Sequence, residues 1–283
     1  MDLLVTGGSG YLGREILRRR PDATGTVRTA AGGVRLDVRD APAVSRLLAA
    51  IRPGCVIHTA YARDGAGAWA TNVDGARNVA TAPAAAAAGA RLIHVSTDVV
   101  FAGDAGRPYA EADPPDPVTG YGRSKAAAEA AVREAHPGAA IVRTSLIYGG
   151  EAPSGHERVV LDVLDGVSDM AFFTDELRCP VAVGDLAEAL LELAGRDHAG
   201  PLHVAGPDAV SRYELARLVA TANGRDPALL RGAPSATGGS RRPLDCRLDC
   251  GLARSLLATP LRGVREVLQG PSRSTAQAPS ALV

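Results

Sequence analysis

Tyr121 and Lys125 stand four residues apart in the run YGRSK at 121–125. On a helix that spacing puts both side chains on one face. A free phenol has a pKa near ~10 and is a poor proton donor or acceptor at neutral pH. A nearby ammonium favours the phenolate and draws that pKa down. The pair is then suited to give a proton to a carbonyl oxygen while a hydride reaches its carbon. Lys125 is also the chain's only lysine: of 31 basic residues, the other 30 are Arg. A composition drifting from Lys to Arg can leave one Lys by chance. The alternative is a site that needs a compact ammonium, beside both a phenol and a sugar hydroxyl, where the wide fork of Arg does not serve. The neighbours favour that alternative. Thr97, closing the run VST at 95–97, adds a hydroxyl able to donate to a substrate oxygen. Standing alone it would read as a strand-end cap.

A second group of residues suits a dinucleotide. TGGSGYLG at 6–13 carries Gly7, Gly10 and Gly13 between an apolar run and a helical pattern. Glycines there let the backbone approach a pyrophosphate, whose charge the helix N-terminus attracts. The plainer reading is a tight turn without a ligand. Tyr11 and Leu12 follow in the same turn. At the end of the second strand a carboxylate would bind the 2′-hydroxyl of NAD. The chain has Arg28 and Thr29 instead. Arg28 suits a 2′-phosphate and points to NADPH, with NADH as the alternative if Arg28 is only a surface residue. Asp37, with Val38 beside it, is placed for the adenine amino group or for a helix N-cap. Later strand ends contribute Thr59, Ala60 and Tyr61, then Ser96, then Ser145.

These residues need strands that stop at a common edge and helices that start there. LLVTG (3–7), ATGTVR (23–28), GVRLDV (33–38), CVIHTA (55–60), RLIHVST (91–97) and AAIVRTSLI (139–147) read as strands. Between them, 11–20, 41–51, a long stretch from about Trp69, and 119–135 read as helices, with Pro83 expected to kink or end the long one. This alternation predicts an α/β fold: a doubly wound parallel sheet of Rossmann type. Beyond Gly150 the alternation loosens. Helices are expected over 156–166, 184–195 and 211–224, the last with a Ser cap, and a strand over 201–206. The expected organisation is a dinucleotide-binding domain over 1–150 and a smaller C-terminal substrate-binding region over 151–270. Part of 180–205 could return to the first half, and 271–283 is expected to be a disordered tail.

Among 283 residues, apolar types make up 46% and charged types 22%, and the formal net charge is zero. Nucleic-acid binding usually needs a basic stripe, so it is not expected. No apolar run approaches the length that spans a bilayer, and the start MDLLVTGGSG lacks a signal-peptide pattern, so a cytoplasmic protein is expected. Cys55, Cys179, Cys246 and Cys250 show no zinc-like spacing and read as reduced thiols, with no metal site.

The chain resembles the extended short-chain dehydrogenase/reductases, and among them the dTDP-4-dehydrorhamnose reductase family. The resemblance runs from residue 3 to about 268 through LLVTGGSGYLGREI, TNVDGARNV, IVRTSLIYG, VAVGDLAEALLEL and RRPLDCRLD. Its most specific block is ARLIHVSTDVVFAGDAGRPYAEADPPDPVTGYGRSKAAAE, at 90–129. It implies a catalytic triad of Thr97, Tyr121 and Lys125, with Lys125 also holding the nicotinamide ribose, and an Asn at position 72 near the cofactor. It implies reduction of a ketone, the 4-keto group of a nucleotide-linked deoxysugar. A homodimer is a candidate assembly. Two departures bear on substrate: Val99 stands where the family has a Tyr facing the sugar, and GEAPSGHERVV follows IYG in place of an Asn-Phe helix start. A third is that the family's acidic metal-binding cluster is not evident in YARDGAGAWA. Candidate substrate residues are Asp98 and Val99, His156 and Arg158 at a helix start, and Arg178 in TDELRCP (174–180), read as a loop whose Arg could hold a diphosphate. The alternatives are a noncatalytic cofactor-binding subunit, or a reductase or epimerase acting on a non-nucleotide ketone.

Overall fold

The computed structural model describes residues 2–29, 32–86, 90–239 and 241–270. The expected tail at 271–283 lies outside the described residues. In chain order the first half comprises β1 (Leu3–Thr6), α1 (Tyr11–Arg19), β2 (Thr24–Val27), β3 (Val34–Arg35), α2 (Ala41–Ile51), β4 (Cys55–His58), α3 (Gly75–Ala86), β5 (Arg91–Thr97), α4 (Gly120–Ala135) and β6 (Ala140–Thr144). The second half adds β7 (Ile147–Tyr148), α5 (Gly155–Leu164), β8 (Phe172–Phe173), β9 (Leu177–Arg178), β10 (Val181–Ala182), α6 (Val183–Leu193), β11 (Gly200–His203), β12 (Val210–Ser211), α7 (Arg212–Ala222), β13 (Gly232–Ala233), α8 (Gly251–Leu256) and α9 (Val264–Gln269).

Seven strands form one parallel sheet in the order β11-β6-β5-β4-β1-β2-β3. The order reverses between β1 and β4, and the carboxyl ends of strands at such a switch point are where ligands sit in sheets of this kind. Both faces of the sheet's centre are covered, so β1, β4 and β6 are buried along their length rather than on alternate residues. Leu3, Val5, Ile57, Ile93 and Val142 pack under α1 and α6. Leu4, Val56, Leu92 and Ile141 pack on the other face, with Val44 and Leu48 of α2, Val79 of α3, and Ala128 and Val132 of α4. β11, from the second half of the chain, forms one edge of the sheet by pairing with β6, Leu202 opposite Val142.

Several elements depart from their expected form. β3 is only two exposed residues at the far edge, because no further strand covers it. The expected strand at 139–147 stops at Thr144 and resumes as β7, which leaves the main sheet to pair with β10. The long helix opens with a π-turn at Ala70–Asp74 and runs past Pro83 to Ala86 rather than ending there. TDELRCP is not a free loop: β9 lies within it and pairs antiparallel with β12, Arg178 opposite Val210. A separate apolar cluster, with Val160, Phe172, Leu215, Val219 and Val264, holds α5, α7 and α9 together beyond the sheet's carboxyl end. Ser211 caps α7 by accepting from the Glu214 N–H. Among the described residues no helix is long and apolar enough to cross a membrane.

Candidate active site

Two adjoining cavities open at the carboxyl ends of the strands. One, of about 260 Å³, is walled by Gly7, Gly10, Arg28, Asp37, Val38 and Ala60, with Ser9, Thr26 and Thr29 beside them. The other, of about 300 Å³, contains Ser96, Thr97, Asp98 and Val99 from the end of β5, Tyr121 and Lys125 from α4, and Ser145. Gly10, Thr59 and Tyr61 line both, so the two adjoin; Tyr11, Leu12 and Gly13 line the second.

The glycine turn is built for close approach. Gly7 has φ +73°, and a Cβ there would sit 2.7 Å from the Ala60 nitrogen. A Cβ on Gly13 would meet the Gly7 oxygen at 2.3 Å, so α1 can rest on the turn only with glycine at that position. The Thr59 hydroxyl donates to the Thr6 carbonyl at 2.7 Å and ties β4 to the same turn. Arg28 is exposed at the cavity rim. Asp37 is gripped by Arg39, which draws its carboxyl down to about 2. It is not the helix cap: Asp40 caps α2, accepting from the Ala43 N–H at 2.9 Å.

Tyr121 and Lys125 share a face of α4, whose first turn is capped by Thr119 accepting from the Gly122 N–H. Their relation differs from the expected one. The Lys125 ammonium is buried and donates to the Val95 carbonyl at 2.7 Å, with the His94 Nε2 at 3.3 Å. Burial draws its pKa down to about 8. The Tyr121 phenol is pushed up, not down: its burial dominates, and Tyr61 and Asp98 add to it against Arg63. Tyr121 is therefore protonated at neutral pH, but as a weaker acid than a free phenol, contrary to the lowering expected from Lys125. The Thr97 hydroxyl lies 3.2 Å from an oxygen of Asp98 and accepts from the Val99 N–H. Asp98 is buried, accepts from the Ser145 hydroxyl at 2.6 Å, and has its carboxyl raised chiefly by burial.

The substrate candidates separate. Asp98, Val99, His156 and Arg178 line the cleft; Arg158 is exposed and is not among the lining residues, because it falls on the outer side of α5. Arg178 is not the loop cation expected. It is buried, and its guanidinium donates to the carbonyls of Leu177, Leu244 and Pro243. It lies 3.7 Å from Asp98 and 3.5 Å from Glu176. It braces the wall. Sequence reading missed Arg63, Arg212 and Arg242, which line the same cleft. Arg212 approaches His156 Nδ1 at 3.4 Å, and Arg242 ion-pairs with Glu176 while lying over the Phe173 ring. Burial, then repulsion from Arg178, draws Arg212 down to about 10. Burial and Arg212 together hold His156 neutral, down to about 3. The cleft thus has an excess of cations at the end away from Gly7.

Other candidates serve the frame. Asn72 is buried in the π-turn; its amide bonds to both backbone groups of Ala62 and to Ser124 at 2.8–2.9 Å. It pins the Tyr61–Ala62 segment to α4 and lines neither cavity. The Ser96 hydroxyl is committed to Glu129 at 2.5 Å.

The family model for the RmlD substrate binding domain matches residues 1–273. A dTDP-4-dehydrorhamnose reductase of Mycobacterium tuberculosis is 37% identical, over 96% of this chain and 94% of that protein. Subunit beta of methionine adenosyltransferase 2 from Bos taurus is 31% identical, over 94% of this chain and 86% of that one. The solved dTDP-4-dehydrorhamnose reductase of Bacillus anthracis in complex with NADP superposes with a TM-score of 0.84 at 25% identity, over 95% of this chain and 98% of that one.

Proposed function

The chain belongs to the RmlD substrate binding domain family, and from that premise we propose that it is an NADPH-dependent reductase of the 4-keto group of a nucleotide-linked deoxysugar. The observation that carries this reading is the placement of the two cavities: Thr97, Tyr121 and Lys125 line one that adjoins the glycine-walled one and shares Gly10, Thr59 and Tyr61 with it. The residues present fit a dinucleotide. A Cβ would fill the cradle at Gly7, and no acid stands at the end of β2, where Arg28 and Thr29 do. Gly7, Gly10 and Gly13 would hold the pyrophosphate, Arg28 the 2′-phosphate, Asp37 and Val38 the adenine, and Lys125 the nicotinamide ribose. NADPH, when bound, supplies the hydride.

The chain's own residues do the rest. Thr97 can turn its hydroxyl from Asp98 to a ketone oxygen and orient it. Tyr121, kept protonated, gives its proton to that oxygen as negative charge develops there. The Lys125 ammonium, one turn along α4, favours the phenolate left behind. Arg212 and Arg242 are placed to hold a diphosphate at the far end, since guanidinium forks match phosphate oxygens. His156, neutral and beside Arg212, can bond a sugar or phosphate oxygen without adding charge. We divide the chain accordingly at about residue 150, with β11 returned to the dinucleotide-binding half. All four cysteines are buried and unpaired, which supports a reducing compartment such as the cytoplasm.

The relative from Bos taurus favours one second reading, a subunit that binds cofactor and regulates a partner enzyme. The test is NADPH oxidation with a dTDP-4-ketosugar by the wild type, Tyr121→Phe and Arg242→Ala. The reductase reading expects a kcat roughly 10²–10⁴-fold lower for Tyr121→Phe. It expects a raised KM for the sugar, with NADPH affinity unchanged, for Arg242→Ala. NADPH binding without turnover of any nucleotide sugar by the wild type would favour the subunit.

A further inference from the structure

A row of polar side chains crosses three strands of an otherwise apolar sheet. Thr6 of β1 is the register partner of His58 of β4, and His58 that of His94 of β5. Each lies two residues along its strand from Leu4, Val56 and Leu92, so the row shares the face that α2, α3 and α4 cover. All three are buried: Thr6 at 0%, His58 at 2% and His94 at 1% exposure. The Thr6 hydroxyl meets His58 Nδ1 at 2.6 Å, the two imidazoles stack at 5.3 Å, and His94 Nε2 ends the row 3.3 Å from Lys125 Nζ. Burying two imidazoles without full hydrogen bonding is costly. Neither His58 Nε2 nor His94 Nδ1 has a partner among the described residues. A core of this kind would be more stable with apolar residues, so the row calls for a reason at its open end.

That end is Lys125. An ammonium has three N–H donors and no acceptor. Two are taken, by the Val95 carbonyl and by His94. Glu129, one turn further along α4, is the nearest anion on the same helix, but it is already held by Arg143 of β6 at 2.8 Å and by Ser96 at 2.5 Å. Its pull on Lys125 is shared. His94 is therefore the side chain that receives the ammonium among the described residues.

We propose that His94 is a positioning residue for the reaction: its Nε2 accepts from Lys125 and, with the Val95 carbonyl, fixes the ammonium so that its third N–H faces the cleft. The proposal rests on the reductase reading for its kinetic consequence, though not for the contact itself. Acceptance at Nε2 requires the proton of His94 to sit on Nδ1. Protonation of His94 would turn the acceptor into a second cation and expel Lys125. Burial, then the charge of Lys125, then His58, all hold His94 well below its ordinary range, so it remains an acceptor. His58, also kept neutral, stacks behind it and fixes its plane. The groups that face Lys125 are thus His94 and, behind it, His58 from the sheet, and Tyr121 and Glu129 from its own helix.

Lys125 is the sole lysine, so lysine-selective isotope labelling gives one side-chain signal whose titration is read directly by NMR. His94→Leu removes the acceptor; His94→Gln keeps an amide oxygen in reach. The wild-type midpoint is expected near 8. His94→Leu should lower it by about one unit or more, whereas His94→Gln should hold it within about half a unit, since an acceptor favours the charged form. The same variants should differ in turnover: kcat roughly tenfold or more lower in His94→Leu, with the alkaline limb of its pH profile moved to lower pH, and largely rescued in His94→Gln. Equal losses in both variants with an unmoved lysine midpoint would make His94 merely structural and overturn the proposal. So would wild-type kinetics in folded His94→Leu. If that variant does not fold, ¹⁵N-histidine spectra of the wild type decide: a His94 protonated on Nε2 overturns the proposal. Should the wild type reduce no nucleotide sugar, the reductase reading fails, while the lysine titration and the tautomer still judge the His94 contact.

Discussion

The Tyr11 hydroxyl accepts the Gly150 N–H at 2.6 Å and lies 3.4 Å from the Glu157 carboxylate. Tyr11 opens α1 at the glycine turn, while Glu157 closes the capping box of α5 with Ser154. The contact joins the glycine-walled half of the cleft to the helix that carries His156. Tyr11→Phe removes the hydroxyl and keeps the ring. The expected cost is about 1 kcal/mol, seen as a melting temperature lower by about 2–4 °C, together with a raised KM for the sugar substrate. Unchanged melting and KM would mean that α5 is held in place without this contact.

Lys125→Arg should fold poorly or fold without activity. Lys125 is 3% exposed, and its ammonium is held by the Val95 carbonyl and His94. A guanidinium is wider, planar and not easily deprotonated. Turnover is expected to fall by roughly 10²-fold or more, the scale of lost acid–base assistance. An Arg variant with near-wild-type kcat would make the single lysine an accident of composition.

Arg28→Ala should weaken NADPH more than NADH. Arg28 is exposed at the cavity rim with no acid at its strand end. A charge-assisted contact to phosphate is worth about 1.5–3 kcal/mol, so a loss of about tenfold or more is expected for NADPH alone. Titration of both nucleotides by fluorescence measures it, and parallel losses would remove Arg28 from the 2′ position.

Arg178→Ala should act on stability before it acts on KM. The substitution strips donors from the Leu177, Leu244 and Pro243 carbonyls and leaves Asp98 and Glu176 buried without their shared cation. Breaking such a buried pair costs about 3–5 kcal/mol. Denaturant unfolding gives the number. A stable variant with only a raised KM would return Arg178 to the role of a diphosphate ligand.

The centre of the main sheet was legible because β1, β4 and β5 are short, largely apolar runs that helices bury on both faces. Tyr121 and Lys125 were legible because both lie on one helix. Arg212 and Arg242 were not: one begins α7 and is brought to the cleft by the pairing of β9 with β12, while the other follows a Gly/Ser-rich stretch and is brought there by the bonds that Leu177 and Arg178 make to the Leu244 and Pro243 carbonyls. Arg178 was misread because the carbonyls that bury it come from Pro243 and Leu244, more than sixty residues away. Lys125 was expected to meet Tyr121. Its actual acceptors sit on β5, a relation fixed by how α4 packs on the sheet, which no spacing in the run YGRSK contains.

The buried histidines set an acid limit on the fold. Burial is the largest influence on each: His58 and His156 are drawn down to about 3, His94 well below its ordinary range, and His203 is drawn down as well. In the unfolded chain each takes up a proton near pH ~6.5. Between about pH 6.5 and 3 the unfolded state therefore binds more protons than the folded one, and stability falls as pH is lowered through that window. A fully buried group such as His58 contributes up to about 1.4 kcal/mol per pH unit there. Melts at pH 7.5, 6 and 5 should show a steady loss that starts well above the carboxylate range. Asp37 and Glu192, both drawn down to about 2 by their partners, add their losses only at lower pH, below the unfolded carboxylate values. His156→Gln removes one of these four proton uptakes and should flatten the slope between pH 6.5 and 5 by up to about a quarter. A melting temperature constant from pH 7.5 to 5 would mean that the imidazoles are protonated in the folded protein, and the row from Thr6 to His94 would then have to be held by charge rather than by neutral stacking.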